Sequence, residues 1–160
     1  MDLNNLKKSS LKVQAVLNQF NLNLIVKEFP DSTRTAQQAA DAIGCQLGQI
    51  AKSLIFKCKN SGTPLLVVAS GKNRVNEKSV ATQIGEPIEK ADAQFVLAST
   101  GFAIGGIPPI GHASTMQTLI DQDLMAYESI WAAAGTPNAV FKLLPADLVA
   151  MTGGKIISVL

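Results

Sequence analysis

Lys52 is the first residue whose position suggests chemistry. It lies in a run, residues 51–58, whose composition predicts a β-strand. Because the side chains of a strand alternate between its two faces, Lys52 shares a face with the apolar residues Leu54 and Phe56, and that face is expected to be buried. A lysine there either extends past the edge of the sheet to water or points its ammonium into a cavity that holds an anionic or polar group. The first arrangement is the more common one, and the strand itself leaves both open.

A second candidate is the segment 101–112, GFAIGGIPPIGH, which is apolar yet rich in glycine and proline. Such a segment can be neither a regular helix nor a central strand. Glycines let another molecule approach the main chain closely and expose its N–H and C=O groups, while Pro108 and Pro109 stiffen the end of the segment. The segment predicts either a binding loop or, as is more common for glycine clusters, a structural loop with positive φ angles.

The other polar residues do not form a recognisable catalytic set. His112 is the only histidine, and a histidine without a visible partner is more often structural than a general base. Asp121 and Asp123 follow a predicted strand and fit a hydrated turn as well as a carboxylate pair. Two cysteines and one histidine are too few for a structural zinc site, so we expect no metal and no cofactor.

The chain that positions these residues has the composition of a globular domain. Of its 160 residues, 47% are hydrophobic and 16% charged, which excludes a disordered chain and predicts a single domain over residues 1–160. No uninterrupted apolar run is longer than that of residues 65–69, which is far shorter than the ~20 residues of a membrane-spanning helix. The first residues lack the basic-then-apolar pattern of a secretory signal, so we expect a cytoplasmic protein without membrane partners.

Caps and periodicity predict helices between short strands. Thr35 and Gln38 have the spacing of a capping box, which begins a helix over residues 36–43. A turn at residues 60–62 joins two strands, 51–58 and 64–69, into a hairpin. Because hairpins are mixed with crossovers, the fold class is α/β (α+β), with a central, curved, mixed sheet of about six to seven strands flanked by helices. The remaining predicted elements are helices from Ser9 or Ser10 to Asn21, from Asn76 to Gly85, over 91–98 and from Pro145 to Gly153, and strands over 22–27, 115–120, 129–133, 140–144 and 156–160.

The charge of the chain is distributed unevenly. The formal net charge is only +2, but residues 52–78 carry six basic residues against Glu77 alone, a net charge of +5. Residues 79–160 carry three basic residues against seven acidic ones, a net charge of −4. The basic segment is consistent with a polyanionic partner, although a charged run is more often a solvated face.

Two motifs together resemble the YbaK family. They are residues 49–56, QIAKSLIF, around Lys52, and residues 99–112, STGFAIGGIPPIGH. The domain of that family also occurs as the editing insertion of bacterial prolyl-tRNA synthetases, and the resemblance extends from about Thr35 to the C-terminus. It implies a YbaK-like fold and a metal-independent hydrolysis of the ester that joins a wrong amino acid to the terminal adenosine of tRNA.

The resemblance also implies roles for individual residues. Lys52 matches the functional lysine of the family and would contact a terminal phosphate or ester oxygen. Residues 105–109 match the GxxxP segment, whose glycine main chain would hold the substrate carbonyl and stabilise the charge that develops in the transition state. The implied partner is mischarged aminoacyl-tRNA, with a prolyl-tRNA synthetase as a second candidate. The expected site consists of the catalytic residues Lys52, Gly105 and Gly106 and the substrate-binding residues Ser53, Phe29, Thr33, Arg34, Gly101, Phe102, Pro109 and His112.

More than one substrate and more than one class of function are consistent with the sequence. Ala133 stands where relatives similar to the cysteinyl-tRNA(Pro) deacylase carry a serine, which weakens the case for cysteine and leaves tRNA(Pro), and tRNAs carrying small or hydroxylated amino acids, as candidates. One alternative is a non-catalytic tRNA- or synthetase-binding module of the same fold, indicated by the basic segment. Another is an enzyme in which Lys52 forms a Schiff base with a carbonyl substrate. The sequence gives no indication of the oligomeric state.

Overall fold

A mixed β-sheet with helices on both faces organises residues 7–160, the part of the chain that the computed structural model describes. The α-helices are α1 (Lys8–Asn18), α2 (Ala36–Ile43), α3 (Glu77–Ile84), α4 (Ala93–Thr100) and α5 (Pro145–Thr152). The strands are β1 (Val26–Glu28), β2 (Ile50–Cys58), β3 (Pro64–Ser70), β4 (Ile88–Lys90), β5 (Gln117–Asp121), β6 (Ile130–Ala133), β7 (Ala139–Leu143) and β8 (Lys155–Ile157). Short 3₁₀ turns occupy Leu47–Gln49 and Gln122–Ala126. The predicted fold class is therefore confirmed.

Local capping explains why several helices begin and end as predicted. The Thr35 side chain accepts the Gln38 N–H and the Gln38 side chain accepts the Thr35 N–H, so both arms of the capping box of α2 are present. Gly44 ends α2 in the left-handed region, at φ +80°. Asn76 caps α3 by accepting the Ser79 N–H, and Pro145 occupies the first turn of α5.

Several predicted bounds were wrong. The helix α1 ends at Asn18 and the strand β1 begins only at Val26, because Asn21 and Asn23 adopt left-handed conformations with φ +56° and +57° that turn the chain. The helix α4 covers Ala93–Thr100 rather than 91–98, because Asp92 caps it by accepting the Phe95 N–H. The strand β4 was missed and raises the number of strands in residues 7–160 to eight, one above the predicted range.

The strand order leaves an opening beside β2. The sheet runs β1-β7-β6-β2-β3-β5-β8, and β4 pairs with β2 on the same edge as β6. The antiparallel strand β3 follows one edge of β2 along Ala51–Lys57, as the predicted hairpin requires. On the other edge, β6 pairs in parallel with Ile50 and Ala51, and β4 pairs with β2 only from Phe56 onward. Residues 52–55 therefore have no strand partner on that edge, and we call this opening the strand gap.

The two faces of β2 pack against different parts of the core. Ala51 and Ile55 belong to a large apolar cluster that includes residues of α1 and Ile107 of the glycine-rich loop. Phe56 belongs to a second cluster, with α3, on the opposite face. Ile50, on the face of Phe56, packs with α2 in a third cluster. Lys52 and Leu54 share this face and lie between the ends covered by α2 and α3, so the prediction that Lys52 lies on an inward-facing side of the strand is confirmed.

The described residues contain no helix with the length and apolar character that crossing a bilayer requires.

Candidate active site

A cleft with a volume of about 550 Å³ lies at the strand gap. Residues 52–55 of β2 line it, together with the loop and first turn of α2 at residues 33–36. Residues 104–107 of the glycine-rich loop contribute a further wall, and β6 contributes Trp131, Ala132 and Ala133. The cleft opens here because neither β6 nor β4 pairs with the middle of β2. Its position is therefore set by where these two strands stop.

Lys52 lines the cleft, and its ammonium is held by a hydrogen-bond network. Lys52 Nζ donates to the main-chain oxygen of Asn73 at 2.6 Å. The Asn73 side-chain Nδ2 donates in turn to Asp121 Oδ2 at 2.9 Å and to Asp123 Oδ2 at 2.7 Å. Asp121 is 1% exposed and also accepts the N–H groups of Ser70 and Asp123. Asp121 and Asp123 therefore fix the position of Asn73, whose main-chain oxygen accepts the hydrogen bond from Lys52.

Burial lowers the pKa of Lys52, and the negative charge of Asp121 opposes that effect by raising it. An ammonium offers three N–H donors and the Asn73 carbonyl takes one of them. The remaining donors can serve an anionic or carbonyl oxygen in the cleft. The structure therefore favours the second sequence-based alternative, a lysine directed at a cavity, over one that extends to water.

Close packing fixes the middle of the glycine-rich loop. Gly105 has φ +104°, in the left-handed region that favours glycine, and a Cβ placed on it would lie 2.9 Å from Nε of the Arg34 side chain, which would have to shift. A Cβ on Gly106 would lie 2.8 Å from three main-chain atoms of Thr136. The Gly106 carbonyl accepts the Gly135 N–H at 2.8 Å, and its N–H points to Ala103 O at 3.4 Å. Within the described chain, the main chain of Gly105 has no such partner and stays available to a ligand.

The structure brings together only part of the predicted site. Lys52, Ser53, Thr33, Arg34, Gly105 and Gly106 all line the cleft. Five other predicted residues do not: Phe29, Gly101, Phe102, Pro109 and His112. Gly101 ends α4, and Phe102 is 2% exposed in the core with the Lys12 ammonium 4.7 Å from its ring centre. The glycine-rich loop therefore faces the cleft with its middle and packs into the protein with both ends.

His112 supports the loop rather than the cleft. Its Nε2 donates to the Pro108 carbonyl at 2.7 Å, and burial lowers its pKa, so the ring is neutral at pH 7. Together with Pro109 it lines a smaller cavity of about 260 Å³, whose walls include Val16 and Met151. This agrees with the structural alternative for the histidine.

Sequence reasoning missed other residues at the cleft. Trp131, the only tryptophan, lies in its wall with the ammonium groups of Lys27 and Lys142 at 5.5 and 6.0 Å from the ring. Arg74 and Lys90 also line the cleft. Charge at the cleft is mainly positive, because Lys52, Arg34, Arg74 and Lys90 oppose Glu77 alone among the lining residues. A cleft of this charge favours an anionic ligand.

No group of three or more histidine, cysteine, aspartate or glutamate side chains in residues 7–160 is arranged to hold a metal ion.

Comparison with known proteins identifies the family. Residues 30–151, which include both Lys52 and the glycine-rich loop, match the family model of the aminoacyl-tRNA editing domain. The chain belongs to this family. A crystal structure described as a candidate trans-editing enzyme for prolyl-tRNA synthetase has 41% identity to this chain and superposes with a TM-score of 0.91. The superposition covers 96% of this chain and 98% of that one.

Two bacterial relatives extend the comparison. An uncharacterised Bacillus subtilis protein, YwhH, is 32% identical over 92% of this chain and 94% of its own length. A candidate Cys-tRNA(Pro)/Cys-tRNA(Cys) deacylase of Enterococcus faecalis, EbsC, is 26% identical over 76% of this chain and 74% of its own. The resemblance to the YbaK family inferred from the two motifs is thereby confirmed.

Proposed function

We propose that this editing domain is an aminoacyl-tRNA deacylase that acts in trans and hydrolyses the ester of a mischarged tRNA. The observation that carries the proposal is that one cleft is lined by Lys52, whose ammonium is held by Asn73, and by Gly105, whose main chain has no hydrogen-bond partner in the described residues. Membership of the editing family and the names of the relatives support the reaction class. Because charged tRNA is consumed by ribosomes, we place the activity in the cytoplasm.

The chemistry needs positioning and charge stabilisation more than a covalent nucleophile. An aminoacyl ester is already reactive, so a water held against its carbonyl carbon can attack it directly. The water oxygen bonds to that carbon, the bond to the ribose oxygen breaks, and one water proton passes to the ribose oxygen. One water is consumed, and the products are the free amino acid and a tRNA with its terminal hydroxyl restored.

The residues at the cleft would divide this work. The Lys52 ammonium, oriented by Asn73, stabilises negative charge on an ester or terminal phosphate oxygen. The main chain of Gly105 contributes a donor to the oxygen that becomes negative in the transition state. Gly106 keeps Gly105 in place through its hydrogen bond to Gly135 and its close contact with Thr136. No metal enters the scheme.

The basic residues at the cleft would receive the backbone of the tRNA 3′ end. Arg34, Arg74 and Lys90 lie on different elements around the opening, and all three are exposed. Phosphate contacts of this kind make binding sensitive to salt. Because one relative is described as a trans-editing enzyme for prolyl-tRNA synthetase, tRNA(Pro) is the first tRNA to test, and that synthetase is the first protein partner to test. Small and hydroxylated amino acids are the first acyl groups to test.

The direct test is release of amino acid from a panel of mischarged tRNAs. We expect hydrolysis above the buffer rate for at least one member, and a loss of about 10²- to 10³-fold in the Lys52→Ala variant, the usual effect of removing one transition-state donor. Lys59→Ala is the matched control, because Lys59 follows the same strand but is exposed and does not line the cleft. No turnover for any member, or full activity of Lys52→Ala, would reject the proposal.

The same panel separates the deacylase from a binding module. The basic residues around the cleft favour tRNA binding under either function. Tight, salt-sensitive binding of tRNA with no ester cleavage would support the non-catalytic module. Borohydride reduction with candidate carbonyl compounds tests the Schiff-base alternative, which an unchanged protein mass would remove.

A further inference from the structure

The main chain of Ser53 faces the strand gap. In an antiparallel pair, alternate residues exchange both of their main-chain hydrogen bonds with the partner strand. The bonds from Gly71 N–H to Ile50 O and from Cys58 N–H to Thr63 O place the even-numbered residues of β2 in bonded pairs with β3. The odd-numbered residues therefore direct their N–H and C=O groups to the opposite edge, where Ala51 meets β6 and Lys57 meets β4.

Ser53 falls between these two strands and has no main-chain partner there. The pairing with β6 stops at Ala51. On the other side, Ala91, the residue after β4, donates a long 3.5 Å bond from its N–H to Ile55 O, and no bond reaches further back along β2. Within residues 7–160, no group of another element bonds to the Ser53 N–H or C=O. The Ser53 hydroxyl is buried and also lacks a partner. Ser53 lines the cleft, so a ligand there meets an unused donor and acceptor from one residue.

We propose that the aminoacyl group of the substrate fills the strand gap as a one-residue β-strand, an inference that rests on the proposed ester hydrolysis in this cleft. The Ser53 N–H donates to the ester carbonyl oxygen, and the α-ammonium donates to the Ser53 C=O. An α-amino ester carries its donor and its acceptor on either side of one Cα, as a residue of a strand does. It can therefore form the same two hydrogen bonds to the Ser53 N–H and C=O that a residue of a neighbouring strand would form.

This binding mode defines the class of acyl group that the cleft accepts. The Ser53 C=O is an acceptor, so an acyl group without a donor on its α-carbon leaves it unsatisfied when the substrate covers it. The Ser53 N–H also adds a second main-chain donor, beside that of Gly105, for the oxygen that becomes negative. The cleft should thus discriminate esters of α-amino acids from esters of simple carboxylic acids, whatever side chain it prefers.

The first test uses the unmodified protein with two esters. The probes are the best aminoacyl-tRNA of the panel and the same tRNA carrying the corresponding acyl group without its amine, such as propionyl in place of alanyl. Each rate is divided by the hydrolysis rate of that ester in buffer, because the ammonium itself activates the ester. We expect the ratio to fall by about 10- to 100-fold when the amine is removed, the effect of losing one hydrogen bond to a charged group.

The outcomes distinguish the two proposals. Equal normalised rates for both esters would overturn the strand-like binding mode while leaving the deacylase intact. Absence of hydrolysis for every aminoacyl-tRNA in the panel would overturn the deacylase, and the binding mode with it.

The second test removes the Ser53 N–H. A proline in a strand is tolerated where its missing N–H has no ladder partner, so Ser53→Pro is expected to fold, which a thermal unfolding curve checks. Ser53→Ala measures the contribution of the hydroxyl, and the ratio of the two variants isolates the N–H. We expect Ser53→Pro to be at least about tenfold slower than Ser53→Ala. Equal rates would refute the role of the N–H, and if Ser53→Pro fails to fold, the comparison of esters decides.

Discussion

Replacing Asp121 by asparagine tests the network that orients Lys52. The carboxylate of Asp121 accepts three hydrogen bonds: Oδ2 takes Ser70 N–H at 3.0 Å and Asn73 Nδ2 at 2.9 Å, and Oδ1 takes Asp123 N–H at 2.9 Å. An asparagine has only one acceptor oxygen. In its better orientation it keeps the two bonds of Oδ2 and turns its amide NH₂ toward the Asp123 N–H, so one donor loses its partner at a site that is 1% exposed.

The expected cost follows from that single lost bond. Leaving one buried donor unsatisfied costs about 1–3 kcal/mol. For a domain of this size each 1 kcal/mol lowers the melting temperature by about 2–4 °C, so Asp121→Asn should melt about 2–12 °C below the wild type. The variant also loses the negative charge that raises the pKa of Lys52. The activity that depends on the Lys52 ammonium should then decline at a lower alkaline pH than in the wild type.

Asp123→Asn is the matched control. Asp123 is half-buried and its carboxylate accepts one bond, from Asn73 Nδ2 at 2.7 Å, which an asparagine oxygen can still accept. Thermal unfolding and the pH dependence of deacylation, corrected for hydrolysis in buffer, are measured for both variants. An unchanged melting temperature in Asp121→Asn, or equal losses in the two variants, would refute the reasoning.

Three further perturbations concern local geometry. Gly106→Ala should lower the free energy of unfolding by about 1–3 kcal/mol, because its Cβ would lie 2.8 Å from the Thr136 main chain; an unchanged midpoint in urea unfolding would contradict this. His112 has a lowered pKa in the folded state, so acidification below its ordinary value of 6.5 should destabilise the protein, and this loss should be smaller in His112→Gln when unfolding is compared at pH 7.5 and ~5.5. Thr35→Ala should cost about 0.5–2 kcal/mol, since it removes the cap of α2, and an unchanged unfolding midpoint would argue against the capping box.

Features set by neighbouring residues could be predicted from the sequence. The ends of α2 and α3 depend on Thr35, Gly44 and Asn76, whose hydrogen bonds and φ angles are local to each helix end. The hairpin of β2 and β3 depends on the turn between them. The strand β4 was missed because a three-residue strand is too short to show alternation, and it forms only by pairing with β2.

The cleft was predictable only in part, because it depends on pairing between distant strands. The motif around Lys52 identified the correct strand, but the strand gap exists only through the positions at which β6 and β4 stop. The hydrogen bond from Lys52 to Asn73 likewise joins two positions, 21 residues apart, that no sequence pattern connects. The glycine-rich loop was treated as one unit, whereas Phe102 and His112 at its ends pack into the protein and only its middle lines the cleft.

The pairing of distant strands also determines when during synthesis the cleft can form. Ile50 pairs with Trp131, and Val26 pairs with Phe141. These two strand pairings can therefore form only after the second half of the chain has been synthesised. Folding that depends on such non-local contacts is slow and comes after local hairpins such as β2–β3. A nascent chain that has emerged only as far as residue 129 carries Lys52 and the glycine-rich loop but has no walled cavity between them. Under the proposed function, incomplete translation products should therefore be unable to hydrolyse the charged tRNAs near the ribosome.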